Sequence, residues 1–592
     1  MSAVRLILAL PPFHHSRTAV NLPRFFLPAL AALLLSAGCD SPAPEQAPAD
    51  LILRNGRIVT MDPARPEAQA LAVRGDTIVA VGTNEAIDAL AGPSTEVLDV
   101  EGQFVMPGFI EGHGHYMGLG RARMILDLTQ ARSWDEIVAM VEEAARTAEP
   151  GAWILGRGWH QEKWATVPEN TVEGVPTHHG LSAVSPQNPV LLTHASGHAA
   201  FANAEALRQG GVSAETPDPP GGEIVRDARG EPTGLLRETA QGLVSRALER
   251  ARAGMTPEER EAEMRRMAAL AAEEALAHGI TSFHDAGVSF ETVDFYKRLA
   301  DEGNLPVRLY VMIRAATDEL AEKMADYRLV GYGNGYLTVR ALKRSLDGAL
   351  GSHGAWLLEP YADMPSSTGL QTDDLDDLAR LAELAVEHGY QMAIHAIGDR
   401  ANREVLDLYE RTFAAHPEAT DLRWRIEHAQ HLHPDDIPRF GQLGVIASMQ
   451  GIHCTSDAPW VLKRLGERRA REGAYMWQAL WQTGAVVTNG TDVPVEPIAP
   501  IASFYATVTR RLADGSVFYP EQRLTREQAL QSYTWNNAYA AFEEDRKGRL
   551  APGYLADIVV LSQDLLTVPD DAIPETEVRY TIVGGQVRYP KP

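Results

Sequence analysis

Cysteine is nearly absent. Cys39 and Cys454 are the only two in 592 residues, which argues against a disulfide framework. Long basic runs are absent as well. Lys and Arg number 54 against 79 Asp and Glu, a formal net charge of -25. Phosphate contacts need clustered cations, so nucleic acid is not an expected partner. No internal repeat and no long coiled-coil segment is visible, which leaves a scaffold role without support. The 45% hydrophobic content is enough to build a large core.

The N-terminal region has an apolar run too short to span a bilayer as a mature helix. Arg17 and Arg24 precede it, it extends from Phe25 to Leu35, and Ser36-Ala37-Gly38-Cys39 follows. Small residues before a cysteine predict a bacterial lipoprotein signal over residues 1–39, with Cys39 acylated. Ser36 stands where leucine is commonest, and an ordinary secretory signal is the alternative. The stretch before the run is long, which suggests a start codon further downstream. Residues 40–50, rich in Pro, Ala and acid, read as a flexible tether. The expected location is the cell envelope, facing the periplasm, with membrane contact only through the lipid anchor. Cys454 then has no partner within the chain and reads as a small packing residue.

Two strand-rich segments flank a long middle. "ADLILRNGRIVTMD" with "ALAVRGDTIVAVGT" opens the chain, and "LAPGYLADIVVLSQD" with "VRYTIVGGQVRY" closes it. Neither end can bury its apolar face alone, so the two predict one discontinuous β-sandwich, residues 51–106 with 546–592. The middle, residues 107–545, alternates apolar strands with amphipathic helices, the pattern of a parallel α/β fold. Eight strand candidates occur: 104–115, 281–285, 307–313, 337–343, 391–395, 423–428, 445–450 and 486–492. That count suggests a (β/α)8 barrel. Helix starts are marked at Thr256-Pro257-Glu258-Glu259 and at Thr525 with Gln528, and a third helix spans Asp373 to His388 before Gly389. An insertion over about 117–254 carries "PDPPGGEIVRDARGEPTG", suited to a hairpin in a cover over the barrel mouth.

Side chains able to bind metal recur at the C-terminal ends of the strand candidates, the face where barrel active sites form. "PGFIEGHGHY" carries His113 and His115, two apart and therefore on one side of a strand. Lys343 in "VRALKRSLDG", His395 in "QMAIHAIGDR", His428 in "RWRIEHAQ" and Asp492 in "VVTNGTDVP" follow. Singly, each has an ordinary structural explanation. Jointly, six such residues at strand ends predict a metal-dependent enzyme.

These motifs resemble the amidohydrolase superfamily, in its YtcJ-like or amidohydrolase 3 branch. "MPGFIEGHGH", "GITSFHDAG", "LKRSLDGALGS", "MAIHAIGDRAN", "RIEHAQ", "GTDVP" and "LAPGYLADIVVL" carry the likeness, which covers nearly all of the chain after the tether. The resemblance implies a distorted (β/α)8 barrel with a small sandwich. It implies that His113, His115 and Asp492 hold one divalent metal, that His395 and His428 hold a second, and that Lys343 bridges them as a carbamate. Imidazole and carboxylate ligands suit zinc, and one or two ions are open alternatives. Two departures stand out. Glu111-Gly112-His113-Gly114-His115 replaces the usual Asp-Ser-His-Thr-His, so the glycines are expected to loosen the strand end. Arg344 follows the lysine where an apolar residue is usual, which leaves a competing guanidinium or an outward-facing one as alternatives.

The implied activity is hydrolysis of a C–N bond in a small-molecule amide, N-acyl or cyclic amide by metal-activated water, with Asp492 as general base. An ester hydrolase on the same site, and a non-catalytic metal-binding envelope lipoprotein, are the alternatives. "LLTHASGHAAFAN" resembles a segment that faces the active site, making His198 a candidate ligand for the carbonyl or oxyanion. Trp159 and His453 are candidate pocket residues. Asp285 and Asp347 are expected to orient neighbouring groups. His178, His179, His431 and His433 read as solvated loop residues.

Overall fold

The computed structural model describes residues 47–166 and 171–590. The expected signal, Cys39 and most of the tether lie outside the described residues. Among the described residues no helix is long and apolar enough to cross a membrane.

Eight parallel strands form the centre. They are β1 Phe109–Gly114, β2 Ile280–Val288, β3 Arg308–Ile313, β4 Leu337–Ser345, β5 Gln391–Ala396, β6 Arg425–His428, β7 Ile446–Gln450 and β8 Val487–Gly490. Each pairs in parallel with the next in chain order. Strand β3, "RLYVMI", is buried at every position, as expected where helices cover a sheet whose other face fills the barrel. The ring closes between β1 and β8 through side-chain and loop bonds. The Asn537 amide donates to Ile110 O at 2.7 Å and to Asn489 O at 2.8 Å. Asp492 N donates to His113 O at 2.8 Å, and His115 N to Val493 O at 2.7 Å. The result is a distorted (β/α)8 barrel.

The helices start where local chemistry places them. Thr256 and Glu259 form a reciprocal capping box at the head of Pro257–Ala277, and Thr525 with Gln528 does the same for Arg526–Tyr533. Helix Leu375–His388 is capped by Asp374, one residue later than Asp373, and Gly389 ends it in the left-handed conformation. Asp373 is engaged elsewhere, as shown below.

The candidate strand 104–115 is two strands. Phe104–Pro107 belongs to the terminal sheets and β1 to the barrel, with Gly108 between them. A Cβ at Gly108 would lie 2.2 Å from Thr281 Cγ2, so the two layers meet there too closely for a side chain.

Both chain ends build the remaining β-layer. One sheet orders Thr77–Gly82, Ala70–Arg74, Leu51–Arg54 and Glu96–Asp99. The other orders Gln586–Tyr589, Val578–Val583, Ile558–Leu561, Phe104–Pro107, Arg57–Val59 and Glu67–Ala68. Leu51, Leu53, Leu71 and Val73 from the start pack with Ile558, Val560 and Ile582 from the end. Arg308, at the start of β3, reaches Asp557 with two bonds of 2.7 and 3.1 Å in a fully buried pair. This joins barrel to sandwich.

The insertion folds around a six-stranded sheet. Its order is Gly222–Arg226, Pro232–Glu238, Ala199–Ala202, Val190–His194, Ile154–Trp159 and Leu126–Asp127. The first two form the expected antiparallel hairpin. Trp134, Trp159, Leu192 and Phe201 make part of its own core.

Candidate active site

The barrel brings all six predicted ligands to its C-terminal mouth. His113 and His115 leave β1 on the side that also buries Glu111. Lys343 comes from β4, His395 from β5, His428 from β6, and Asp492 from just beyond β8. Lys343 Nζ lies 3.4 Å from His113 Nε2. Asp492 Oδ1 lies 3.2 Å from His115 Nε2 and 3.6 Å from His113 Nε2. The ring centres of His113 and His428 are 4.6 Å apart, and those of His395 and His428 are 4.4 Å apart. One ligand atom each from His113, His428 and Asp492 falls within 4.8 Å of the others.

Backbone geometry aims two of these side chains. His428 has φ 75° and Asp492 φ 58°, the left-handed region that non-glycine residues seldom occupy. At both positions the chain departs from pleated geometry where the ligand side chain lines the mouth. The glycines of the H-x-H motif have a packing cause. A Cβ at Gly112 would lie 2.3 Å from Asn537 Oδ1 and 2.4 Å from Asn489 O, and one at Gly114 would lie 2.7 Å from the Phe283 ring. They are sites of close approach, so the expected loosening gives way to a tight joint between β1 and β8. Glu111 adds to that joint by accepting from Thr491 N at 2.5 Å.

The imidazoles are held by neighbours. His113 Nδ1 makes a short bond to the Glu427 carboxylate, which leaves Nε2 facing the mouth. Arg425 lies against the same carboxylate, with Nε 2.6 Å from Oε1 and Nη2 3.0 Å from Oε2. His428 Nδ1 bonds Gln450 Oε1 at 2.8 Å. Asp347 accepts three backbone N–H groups, from Trp356, Ile397 and Gly398, and stands 3.5 Å from His395 Nε2. Asp285 accepts from Tyr116 N and Tyr296 OH, bracing the base of the site.

Burial sets the charge states. It lowers His113 to about 4, with nearby Lys343 adding to the effect. It holds His395 and His428 well below the usual imidazole value. Neutral imidazole is the form that binds a cation. Burial also lowers Lys343 to about 8. Burial alone would raise Asp492, but His115, His453 and the other imidazoles hold it well below the usual carboxylate range.

These residues fit a divalent cation. His395 Nε2 and Asp492 Oδ1 are buried and have no hydrogen-bond partner among the described residues. A buried donor set of imidazole nitrogens and carboxylate oxygens satisfies itself best on a metal.

The other predicted residues divide. His198 reaches the site: its Nδ1 bonds Glu238 Oε2 at 2.7 Å, and its ring is 5.0 Å from that of His395. Burial opposes its protonation, but Glu238 outweighs this and the pKa is raised. His453 is buried with Nε2 3.7 Å from Asp492 Oδ2. Trp159 does not line the mouth. Its indole N–H donates to Leu192 O at 2.8 Å, and it packs edge-on against Phe201 inside the insertion core. Its neighbour His160, just past the end of the strand, lines the cavity with Trp460. Arg344 turns from the site: it bonds Asp373 with Nε at 2.6 Å and Nη2 at 2.7 Å, and also reaches Asp377 and Thr317. His431 is buried rather than solvated, because Gly473 and Tyr475 cover it, and burial lowers it to about 3. Cys454 is buried and its thiol is pushed up to about 11.

Glu427, Glu238 and Arg157 were not singled out from sequence. Glu427 had a signal in "RWRIEH", where Arg425 and Glu427 stand two apart in a buried strand. Arg157 had none: its guanidinium donates to Pro494 O at 3.1 Å and Ala195 O at 3.0 Å, contacts that only the fold creates.

The profile of the amidohydrolase family matches residues 96–589. The chain is 32% identical over 549 residues to the putative amidohydrolase YtcJ of Bacillus subtilis, covering 91% of this chain and 99% of that one. It is 35% identical over 578 residues to the protein LONG AFTER FAR-RED 3 of Arabidopsis thaliana, covering 95% and 96%. It is 29% identical over 560 residues to an N-substituted formamide deformylase of Arthrobacter pascens, covering 91% and 98%. Among solved structures, an uncharacterized metal-dependent hydrolase of Pyrococcus horikoshii superposes with TM-score 0.70 at 28% identity, covering 88% of this chain and 99% of that one.

Proposed function

The chain belongs to the amidohydrolase family, and from that premise we propose that it hydrolyses a C–N bond in a small N-acyl compound, amide or cyclic amide. The observation that carries this reading is the convergence of His113, His115, Lys343, His395, His428 and Asp492 on one mouth, with a buried Asp492 oxygen that makes no hydrogen bond among the described residues. Those six residues would hold one or two divalent ions, zinc being favoured by the nitrogen and oxygen donors. A bound cation would supply an acidified water and polarise the scissile carbonyl.

The chain's own groups do the rest. The Asp492 carboxylate accepts the proton of the attacking water and delivers it to the leaving nitrogen. His198, charged against Glu238, donates from Nε2 to the acyl oxygen as it gains negative charge. His453 keeps Asp492 ionised. Amide and water become carboxylic acid and amine. Lys343 is buried beside His113, where an ammonium would repel a cation. Its lowered pKa supplies free amine, which adds to carbon dioxide with loss of one proton and becomes an anionic carbamate. A lipid anchor at Cys39 is part of the same reading, supported by Ser36-Ala37-Gly38-Cys39. Cys39→Ser releasing the protein from the membrane fraction is the expected result.

The deformylase relative makes N-substituted formamides the first compounds to assay, with acetanilides beside them. The expected result is release of acid and amine by the zinc-loaded chain, with a loss of about 100-fold or more in Asp492→Asn when the two are compared at equal metal loading. Equal turnover in Asp492→Asn would overturn the assignment.

A further inference from the structure

The mouth opens into two lobes that share His198, His395, His428 and Asp492. The larger, about 590 Å³, is lined by Arg121, Arg157 and Arg314 as well as the metal-site residues. Its acids are already committed. Glu238 holds His198, Asp373 takes two bonds from Arg344, and Asp347 accepts three backbone N–H groups. Asp492 belongs to the ligand set. Among the described residues none of the three arginines forms an ion pair with a carboxylate, although Asp373 attracts Arg314 and Asp492 attracts Arg157 from further away. Arg157 spends Nε and Nη2 on the carbonyls of Pro494 and Ala195, which fixes its plane and leaves Nη1 free. Arg314 is exposed to the lobe and makes no side-chain hydrogen bond or ion pair among the described residues. Its stem passes beside that of Lys343, since an added Cβ at Gly287 would lie 3.2 Å from Lys343 Cγ and 3.4 Å from Arg314 Cδ. In a chain of net charge -25, unpaired guanidinium groups at one cavity need a reason. The smaller lobe differs. There Asp457 and Glu496 offset the cationic Lys163 and His453, and Trp460, Leu350 and Ile397 line it beside them, so it accepts an apolar group.

We propose that the substrate carries an oxyanionic group, such as a carboxylate, which Arg314, Arg121 and Arg157 receive in the larger lobe. The opposite, apolar part lies towards Trp460. Arginine forks match the two oxygens of such a group, and the polarity of the lobes sets which way round the molecule enters. The substrate class is therefore an amide linking an apolar group to an oxyanion-bearing one. This rests on the hydrolase reading above, but binding tests it separately.

The binding probe is benzenesulfonate, a poor metal ligand, against its neutral counterpart methyl phenyl sulfone. Calorimetry is run on the zinc-loaded chain, on the Arg314→Gln and Arg121→Gln variants, and on metal-stripped chain. The expected result is tighter binding of the sulfonate by about 10-fold to 100-fold, lost in Arg314→Gln with metal content and thermal midpoint unchanged. Preference that survives both variants, or equal binding of the two probes, overturns the proposal. So does loss of metal in Arg314→Gln, which would make Arg314 a partner of Lys343 instead. Turnover is then compared for 4-formamidobenzoate and 4-formamidobenzamide. A kcat/KM ratio favouring the acid in the wild type and falling in Arg314→Gln supports the substrate class. A sulfonate site that depends on Arg314, with no amide hydrolysed, leaves the anion site standing and removes the hydrolase reading.

Discussion

Glu427→Gln keeps the shape of a buried side chain and removes its charge, and two separate losses follow. The first concerns His113. Its Nδ1 proton is held by the Glu427 carboxylate, so Nε2 presents its lone pair to the mouth. A neutral amide holds that proton less firmly and can present its own N–H instead. Groups that orient a metal-binding histidine are worth about 10-fold to 100-fold in metal affinity, or ~1.4–2.7 kcal/mol. The second concerns Arg425, which is fully buried against Glu427. Removing one member of a buried pair costs about 3–5 kcal/mol. The lower end applies, because Arg425 keeps bonds to Gly112 O at 2.8 Å and Ser448 Oγ at 2.6 Å. We predict a variant whose metal-free form is less stable by about 3 kcal/mol and whose zinc affinity falls by 10-fold or more. Urea unfolding of the metal-free chain reads the first, and competition against a fluorescent chelator reads the second. Arg425→Met with Glu427→Met in one chain should recover most of the stability and none of the affinity. Zinc affinity within about threefold of wild type in Glu427→Gln would refute the orienting role.

Two further predictions concern the frame around the site. Gly112→Ala places a methyl group against Asn537 and the Asn489 carbonyl, so the β1–β8 joint must open. We expect a loss of more than about 2 kcal/mol in urea unfolding and a lower metal-to-chain ratio, and a variant as stable as wild type would contradict the close approach. His431 is neutral and buried, with its folded pKa at about 3, below the unfolded value of about 6.5. Above pH 6.5 neither state binds the proton. As pH falls from 6.5 towards 3, only the unfolded state takes it up, and stability drops by ~1.4 kcal/mol per unit. His431→Leu should therefore reduce the stability lost between pH 6.5 and pH 5 by about 2 kcal/mol, and an unchanged loss would refute the assignment.

Much of the barrel was legible because its signals are local. Strand and helix periods alternate, Thr256 and Thr525 announce helix starts, and the ligands stand at strand ends. The break at Gly108 was not legible, since "FVMPGFI" is apolar on both sides of it and only the approach of Thr281 shows where one sheet stops. The six ligand candidates could be picked out because imidazole, lysine and aspartate are rare at the ends of buried strands. Trp159 was misplaced for a different reason. The strand ends at Trp159 after a break in register at Gly158, and nothing in "GRGWHQEKW" says which of Trp159 and His160 enters the core and which the cavity. The arginines were invisible as a group: Arg121, Arg157 and Arg314 are far apart in sequence, and only the folded cavity brings them together. His431 read as solvated because its neighbours are polar, whereas its cover comes from around Gly473 and Tyr475, over forty positions away.

Elemental analysis of the purified chain, with the metal-to-protein ratio, tests the metal centre most directly. The arrangement of His113, His115, Lys343, His395, His428 and Asp492 predicts one or two divalent ions per chain, about two where Lys343 bridges and about one where it does not, with fewer in Asp492→Ala. A wild-type chain that binds no divalent ion after reloading with zinc would contradict it.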